Sequence, residues 1–321
     1  MAPLEIILAT HNGARYLSEQ LDSLFRQTET DFTVLAADDA STDETLQILE
    51  AYRRRYVGRI EIVAFAAEAV GACGNFTRLA ERLTADYAMF CDQDDVWLPH
   101  KIAVSLNRIR AAEIRFGSWT PLFIHTDLVV AGHDLAHWQE SHWRSAKLDP
   151  SANSFNQLLL HNTVAGCTAI VNKALYTKAI PVPSCAIMHD YWFALVAAAF
   201  GRIEFIFEST ILYRQHDRNV FGVEARTPSR FFRRAVETLR GRGSAENLDG
   251  YMRQARAFLS QFGADLTPRQ RETLRVVADL SLTHPSLRFL KLLRLGVLRQ
   301  GIVRNAALFI AVTLHRSRAP R

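Results

Sequence analysis

The chain has four cysteines in 321 residues, and no two of them lie in a CxxC spacing. That argues against a disulfide framework and against a cysteine-based zinc site. Cys73, Cys91, Cys167 and Cys185 read as free thiols of a reducing compartment. No run approaches the ~18 consecutive apolar residues of a membrane-spanning helix. The chain opens directly on Leu4-Glu5-Ile6-Ile7-Leu8, with no basic segment ahead of a long apolar one, so no secretory signal is expected. No G-x-G-x-x-G follows the first apolar run, which disfavours a nicotinamide dehydrogenase. Internal repeats and low-complexity tracts are missing as well. His125, His133, His137 and His142 cluster in sequence, but their spacing fits no zinc-ligand pattern.

What is present can bury a core: 49% of the residues are hydrophobic, and 321 residues make one large domain or two ordinary ones. Charge is distributed unevenly. Residues 1–223 carry 19 Lys/Arg against 26 Asp/Glu, whereas residues 224–321 carry 19 against 7. An acidic body is thus followed by a basic region of net +12, which points to an anionic partner surface.

The first hundred residues alternate in hydrophobic period. Ile6–Ala9, Phe32–Ala37, Ile60–Val63 and Tyr87–Cys91 read as buried strands. Between them, Leu17, Leu21, Leu24 and Phe25 have helical spacing. Ser41 and Glu44 form a candidate capping box for the next helix, and a further helix is expected around 75–84. Strand and helix in turn predict an α/β fold with a mostly parallel sheet flanked by helices. Later strands are expected over Leu122–His125, Val164–Val171 and Ile203–Phe207, with a buried helix over Met188–Phe200. From about residue 228 only helices are expected, over 229–240, 251–262, 269–282 and 286–315. The domain boundary is placed at residue 225, giving regions 1–225 and 226–321.

Ligands of such sheets bind at the carboxyl ends of the strands. Three polar groups stand there: Thr10-His11-Asn12-Gly13, Asp38-Asp39, and Asp92-Gln93-Asp94-Asp95. The last places three carboxylates in four positions after an apolar run. Crowded carboxylates raise one another's pKa, and a divalent cation relieves the repulsion through hard oxygen ligands, often with a phosphate beside it. A solvated acidic turn is the alternative for an isolated Asp-x-Asp. Asp39 and Asp190 also fit helix-start carboxylates. Trp97 and Trp192 read as packing residues.

Taken in order, Leu8-Ala9-Thr10-His11-Asn12-Gly13, Ala37-Asp38-Asp39-Ala40-Ser41-Thr42-Asp43 and Asp92-Gln93-Asp94-Asp95-Val96-Trp97 resemble a family 2 glycosyltransferase of the GT-A fold, over roughly residues 4–220. Asn162–Thr168, Met188-His189-Asp190-Tyr191-Trp192 and Tyr213-Arg214-Gln215-His216 are similar to the rhamnosyltransferase-like branch, which builds bacterial surface polysaccharide. The resemblance implies an inverting, metal-dependent transfer from a nucleotide sugar, dTDP-L-rhamnose, to a lipid-linked saccharide acceptor. It implies that Thr10, Asp39 and Asp92 bind the nucleotide. Asp94 and Asp92, with His216, would hold Mg2+ or Mn2+, and Asp190 would be the general base. A catalytically degenerate binder of the same fold, or a transferase using a UDP-hexose, are the alternatives. Two departures stand out. His189 replaces the acidic residue that often precedes the base, and a charged His189 would lower the pKa of Asp190 more than a neutral one. Ala69 and Val70 stand where relatives often carry Asn, which leaves a nucleotide contact from that loop open.

Residues 286–315 interleave Leu287, Phe289, Leu290, Leu292, Leu293, Leu295, Val297 and Leu298 with Arg288, Lys291, Arg294 and Arg299. This pattern suits a helix lying in the interface of an anionic membrane; a helical subdomain with solvated arginines is the alternative. The large residues there are mostly aliphatic, so nucleic acid is not an expected partner. The expected location is the cytoplasm, peripheral on the inner face of the bacterial plasma membrane.

Overall fold

The strand β1 (Leu4–Thr10) is apolar along most of its length and out of water on both faces. Such a strand must be covered from both sides, which a β/α series achieves. In the computed structural model, which describes residues 3–64, 68–216 and 244–315 (backbone alone for 137–139 and 244–247), that series runs β1, α1 (Ala14–Phe25), β2 (Phe32–Asp38), α2 (Thr45–Arg55), β3 (Ile60–Ile62), α3 (Gly71–Ala80) and β4 (Tyr87–Cys91). There follow β5 (Val96–Trp97), α4 (Lys101–Phe116), β6 (Leu122–Ala131), β7 (His137–Gln139), α5 (His142–Ala146), α6 (Phe155–Leu158), β8 (Ala169–Asn172), α7 (Lys173–Ala179), α8 (His189–Phe200) and β9 (Arg202–Arg214).

The strands form one mixed sheet in the order β3-β2-β1-β4-β8-β6-β9-β5, with β7 paired to β6. Pairing is parallel across β3, β2, β1 and β4, and antiparallel where β8 sits between β4 and β6. The core gathers alternate residues of β1, β2 and β4 against Leu17, Leu21 and Leu24 of α1 and Ile102, Leu106 and Ile109 of α4. A carboxylate in the central strand, Glu5, is tolerated because it accepts hydrogen bonds from the Thr84 and Ala85 amides at 2.7 and 3.0 Å. α8 is apolar around its whole circumference, and Tyr191 to Ala197 are accordingly buried.

The chain divides into two compact units. The first comprises Met1–Ser151, Val164–Val182 and Met188–Val223, and contains the whole sheet. The second comprises Ala152–Thr163, Pro183–Ile187 and Glu224–Arg321. Its helices are α6, α9 (Ser244–Phe262), α10 (Pro268–Ala278), α11 (Pro285–Arg294) and α12 (Ile302–Leu314). Leu248, Met252, Phe258, Leu274, Leu292 and Leu308 are buried there.

Several local expectations are corrected. Ser41 does not cap α2, which begins at Thr45 after Glu44 with no side-chain cap. The Ser41 hydroxyl instead bonds Asp38 and accepts the Asn12 amide at 2.7 Å, so it ties two strand ends together. The strand expected over Val164–Val171 starts as a 3-10 turn, Gly166–Thr168. β9 runs on to Arg214, well past Phe207, because its second half finds partners on both β6 and β5. Residues 286–315 are not one helix. They break at Gly296 and Gly301, whose φ angles of +67° and +83° no helix accommodates. The helix expected over 229–240 lies outside the described residues.

Candidate active site

Register decides which residues meet. Thr10 of β1 stands beside Asp38 of β2, and Leu8 beside Cys91 of β4. The carboxyl ends of these strands therefore share one edge of the sheet, where the three polar groups of the sequence come together. Gln93 fastens the first group to the third. Its Oε1 accepts the His11 amide at 2.8 Å, and its Nε2 donates to the His11 carbonyl at 2.9 Å. The clamp demands a glycine at position 13, because a Cβ there would lie 2.2 Å from Gln93 Oε1.

The second group is fastened in turn. Thr10 Oγ1 donates to Asp38 Oδ1 at 2.9 Å, and the Asp39 amide donates to the Thr10 carbonyl at 2.8 Å. Asp39 is buried, and its two carboxylate oxygens accept the amides of Val70 and Gly71, each at 2.8 Å. The loop carrying Ala69 and Val70 is thus held by backbone groups rather than by an asparagine side chain.

The acidic segment is not a free turn. Asp94 Oδ2 lies 2.8 Å from His216 Nε2, and the His216 ring stacks on Tyr16 at 5.0 Å between centroids. Arg214 is almost wholly buried and laces the segment down. Its amide donates to Asp95 Oδ1 at 3.1 Å, its Nε to the Asp94 carbonyl at 2.8 Å, and its Nη2 pairs with Glu19. Burial, then Asp94, then Asp190 push the Asp92 carboxyl up to about 7. Burial, then the charges of Asp94 and Asp92, raise the fully buried Asp95 well above the usual carboxylate range. Ligating atoms of Asp92, Asp95 and Cys167 lie within 4.8 Å of one another. Tyr213 sits beside the same carboxylates, and its phenol is raised by burial first and by those charges second.

Asp190 lies in the first turn of α8 and is buried. Its Oδ2 accepts the Gly166 amide at 2.8 Å and its Oδ1 the Tyr191 amide at 2.7 Å. Burial raises its carboxyl to about 6, against the opposing pull of those bonds. His189 gives no help. Packed against Phe76 at 4.0 Å and near Phe90, it is held neutral by burial, which drives its pKa down to about 3. The neutral branch of the His189 alternative is the one realised.

Thr10, Asp39, Asp92, Asp94, Asp190 and His216 thus belong to the same unit, five of them at strand or motif ends on the carboxyl edge. Gln93, Arg214, Tyr213, Gly166 and Cys167 were not assigned roles from sequence, although all lie inside the quoted motifs. Their signal is steric or positional, and it appears only once β9 is seen to reach residue 214. Trp97 and Trp192 are buried packing residues. His125 is buried among Phe123, Trp143 and Phe205, and burial lowers its pKa to about 4. Asp94 and His216 are brought into contact, whereas the ligating atoms gathered around Asp92 are those of Asp95 and Cys167.

Comparison with known proteins agrees with this geometry. The pattern "Glycosyl transferase family 2" matches residues 5–178, more than half of the chain, and the chain belongs to that family. It is a glycosyltransferase of the GT-A fold. It is 27% identical over 229 residues to the dTDP-rhamnosyl transferase RfbG of Shigella flexneri, covering 67% of this chain and 73% of that one. An uncharacterized glycosyltransferase of Nostoc sp. is 25% identical over 67% of this chain, which spans 66% of the relative's length. Among solved structures, Staphylococcus aureus TarS 1–349 with UDP-GlcNAc superposes with a TM-score of 0.55 at 17% identity, covering 97% of this chain and 90% of that one. A mannosyltransferase of Pyrobaculum calidifontis with GDP-Man and Mn2+ gives 0.53 at 15% identity, covering 96% and 85%.

Gly166 offers a direct probe of how Asp190 is held. A Cβ at residue 166 would lie 2.9 Å from the Asp190 Cβ, so Gly166→Ala must displace the carboxylate. With Asp190 as the proposed base, transfer rate is expected to fall about 100-fold, as for a reacting group misplaced by ~1 Å, with the donor KM nearly unchanged in steady-state assays. An equal loss in donor binding would place Gly166 in donor recognition instead.

Proposed function

We propose that this protein is an inverting, metal-dependent glycosyltransferase that moves L-rhamnose from dTDP-L-rhamnose onto a lipid-linked saccharide in surface-polysaccharide synthesis. The observation that carries the reading is the buried Asp190 carboxyl, raised to about 6 by burial, whose charge helps to raise the neighbouring Asp92. A carboxylate poised near neutral pH beside a cluster of cation-binding groups suits proton abstraction during displacement of a diphosphate.

In this reading Asp39, Thr10 and Asp92 bind the nucleotide. Asp94, with Asp92 and His216, would hold the divalent ion, which would supply positive charge for the departing diphosphate. Asp190 takes the proton of the acceptor hydroxyl as its oxygen bonds the anomeric carbon and the carbon–phosphate oxygen bond breaks. One displacement inverts the anomeric centre. Gln93 and Arg214 keep the acidic segment at fixed height, which limits reorganisation during the reaction. Support for the donor comes from RfbG, whose name specifies dTDP-rhamnosyl transfer.

The basic unit supports a membrane-bound acceptor. After Asp279 the chain contains no acidic residue. Leu287, Leu290 and Leu293 of α11 are 47%, 39% and 49% exposed, and Ile302 and Val303 of α12 are 89% and 61% exposed. Exposed leucines beside Lys291 and Arg294 suit shallow insertion among anionic headgroups. Arg288 takes no part, because it is buried on the carbonyls of Val312 and His315 at 2.9 and 2.7 Å. None of the described helices is long and apolar enough to cross a membrane.

In thermal-shift assays with Mn2+, dTDP-L-rhamnose alone among nucleotide sugars stabilises the protein, and Asp94→Ala or EDTA abolishes transfer; a response confined to UDP-hexoses overturns the donor, and nucleotide binding without product from any donor points to a degenerate binder. Asp190→Asn should cost about 10²–10⁴-fold in rate, the usual range for a lost general base. Since the base must be deprotonated and its pKa is raised, wild-type rate should decline as pH falls through about 6. Finally, the protein should cosediment with phosphatidylglycerol-containing vesicles but not with pure phosphatidylcholine, and Leu290→Ser with Leu293→Ser should release it; equal retention of the variant removes α11 as the contact.

A further inference from the structure

Helix α1 buries polar side chains along one face. Gln20, Ser23 and Gln27, the last just beyond its end, follow an i, i+3, i+7 spacing and are almost wholly out of water. All three bond the acidic segment's flanks. Gln20 Nε2 donates to Cys91 Sγ at 3.0 Å, and Ser23 Oγ accepts the Trp97 amide at 3.0 Å. Gln27 Nε2 donates to the Leu98 carbonyl at 2.8 Å, and its Oε1 accepts the Ile102 amide at 3.1 Å. α1 therefore brackets residues 92–95, with bonds to the residue before them and to the chain after them.

Tyr16 and Glu19 lie one turn apart at the start of the same helix. They reach the two residues that close on the acidic segment from β9. The His216 ring stacks on Tyr16 at 5.0 Å with 27° between the planes, and the Arg214 guanidinium carbon lies 4.5 Å from the same ring centroid, a cation–π distance. The Tyr16 hydroxyl is buried without a hydrogen-bond partner among the described residues, so its ring is what makes these contacts. Glu19 pairs with Arg214 Nη2 while remaining 52% exposed. Its carboxylate supplies counter-charge to a guanidinium that is almost wholly out of water. Arg214 in turn holds the Asp94 carbonyl, and His216 meets the Asp94 carboxylate. β9 ends at Arg214, so His216 lies beyond the strand that fixes its predecessors.

We propose that Tyr16 and Glu19 are positioning residues for Asp94: Tyr16 seats the His216 imidazole against the Asp94 carboxylate, and Glu19 steadies the Asp94 main chain through Arg214. The effect on ion binding rests on the metal-dependent reading; the seating of Asp94 and His216 stands without it. An imidazole and a carboxylate already held in contact lose little freedom when an ion arrives, so the groups that orient them contribute to its affinity.

Mn2+ titration of the nucleotide-free protein, followed by electron paramagnetic resonance well below the melting range, should show about tenfold weaker binding in Tyr16→Leu and in Glu19→Gln, the order of loss usual when a group that orients a ligand is removed. Tyr16→Phe keeps the ring and should retain wild-type affinity; a loss equal to that of Tyr16→Leu overturns the role of the ring. Wild-type affinity in Tyr16→Leu or Glu19→Gln removes that residue from ion binding, even if its melting temperature falls. Metal-free crystal structures test the seating directly, and Glu19→Gln, a change at an exposed side chain, keeps that test open if Tyr16→Leu does not fold. His216 should leave Asp94 in Tyr16→Leu, and the Arg214 Nε bond to the Asp94 carbonyl should be lost in Glu19→Gln. Contacts that persist at 2.8 Å overturn the proposal. Wild-type protein that binds no Mn2+ sinks the metal reading, and the crystal structures then decide the seating by themselves.

Discussion

Like charges brought close together out of water must be offset, and this protein is organised around that requirement at the end of β4. Asp92, Asp94 and Asp95 follow a fully buried strand, so they cannot simply spread into solvent. Each is met by a different device. Asp94 faces an imidazole, Asp95 accepts a backbone amide from a buried arginine residue, and Asp92, out of water and beside Asp94, has a carboxyl raised to about 7. The length of β9 follows from the same need. Only a strand that continues to residue 214 can bring Arg214 and then His216 to the far side of the segment. The antiparallel pairing of β5 with β9 puts Val96 opposite Leu212 and Trp97 opposite Ile211, directly after the acidic loop.

Much of this was legible in the sequence, because hydrophobic period is a local property. Each parallel strand from β1 to β4 is a short apolar run ending in polar residues, and that is visible residue by residue. What could not be read were relations that depend on distant partners. Ser41 has the right spacing from Glu44 for a capping box, but Asp38 and Asn12 compete for its hydroxyl and win. Arg214 looks like any basic residue until its burial is known. Gln93 lies in a motif that draws attention to its acidic neighbours, yet it makes the paired bonds that join β1 to the acidic loop. In the basic region the helical period reads straight through residues 295–301, since a hydrophobic pattern does not register two glycines at positive φ.

Asp190 shows how the same fold can hold a carboxylate in readiness. Two backbone amides fix both of its oxygens, so its orientation does not depend on any side chain. Its environment nevertheless disfavours the charge, and the neighbouring His189 is neutral against two phenylalanine rings. The amides set its direction and pull its proton affinity down, and burial more than offsets that pull.

The attachment of the Ala69–Gly71 loop to Asp39 has a consequence for how the family member can change over time. The carboxylate grips two main-chain amides, Val70 and Gly71, and ignores what the side chains are. Residues 69 and 70 are therefore decoupled from the anchoring of their own loop. Substitution there can change the surface beside Asp39 while the two main-chain bonds that moor the loop persist.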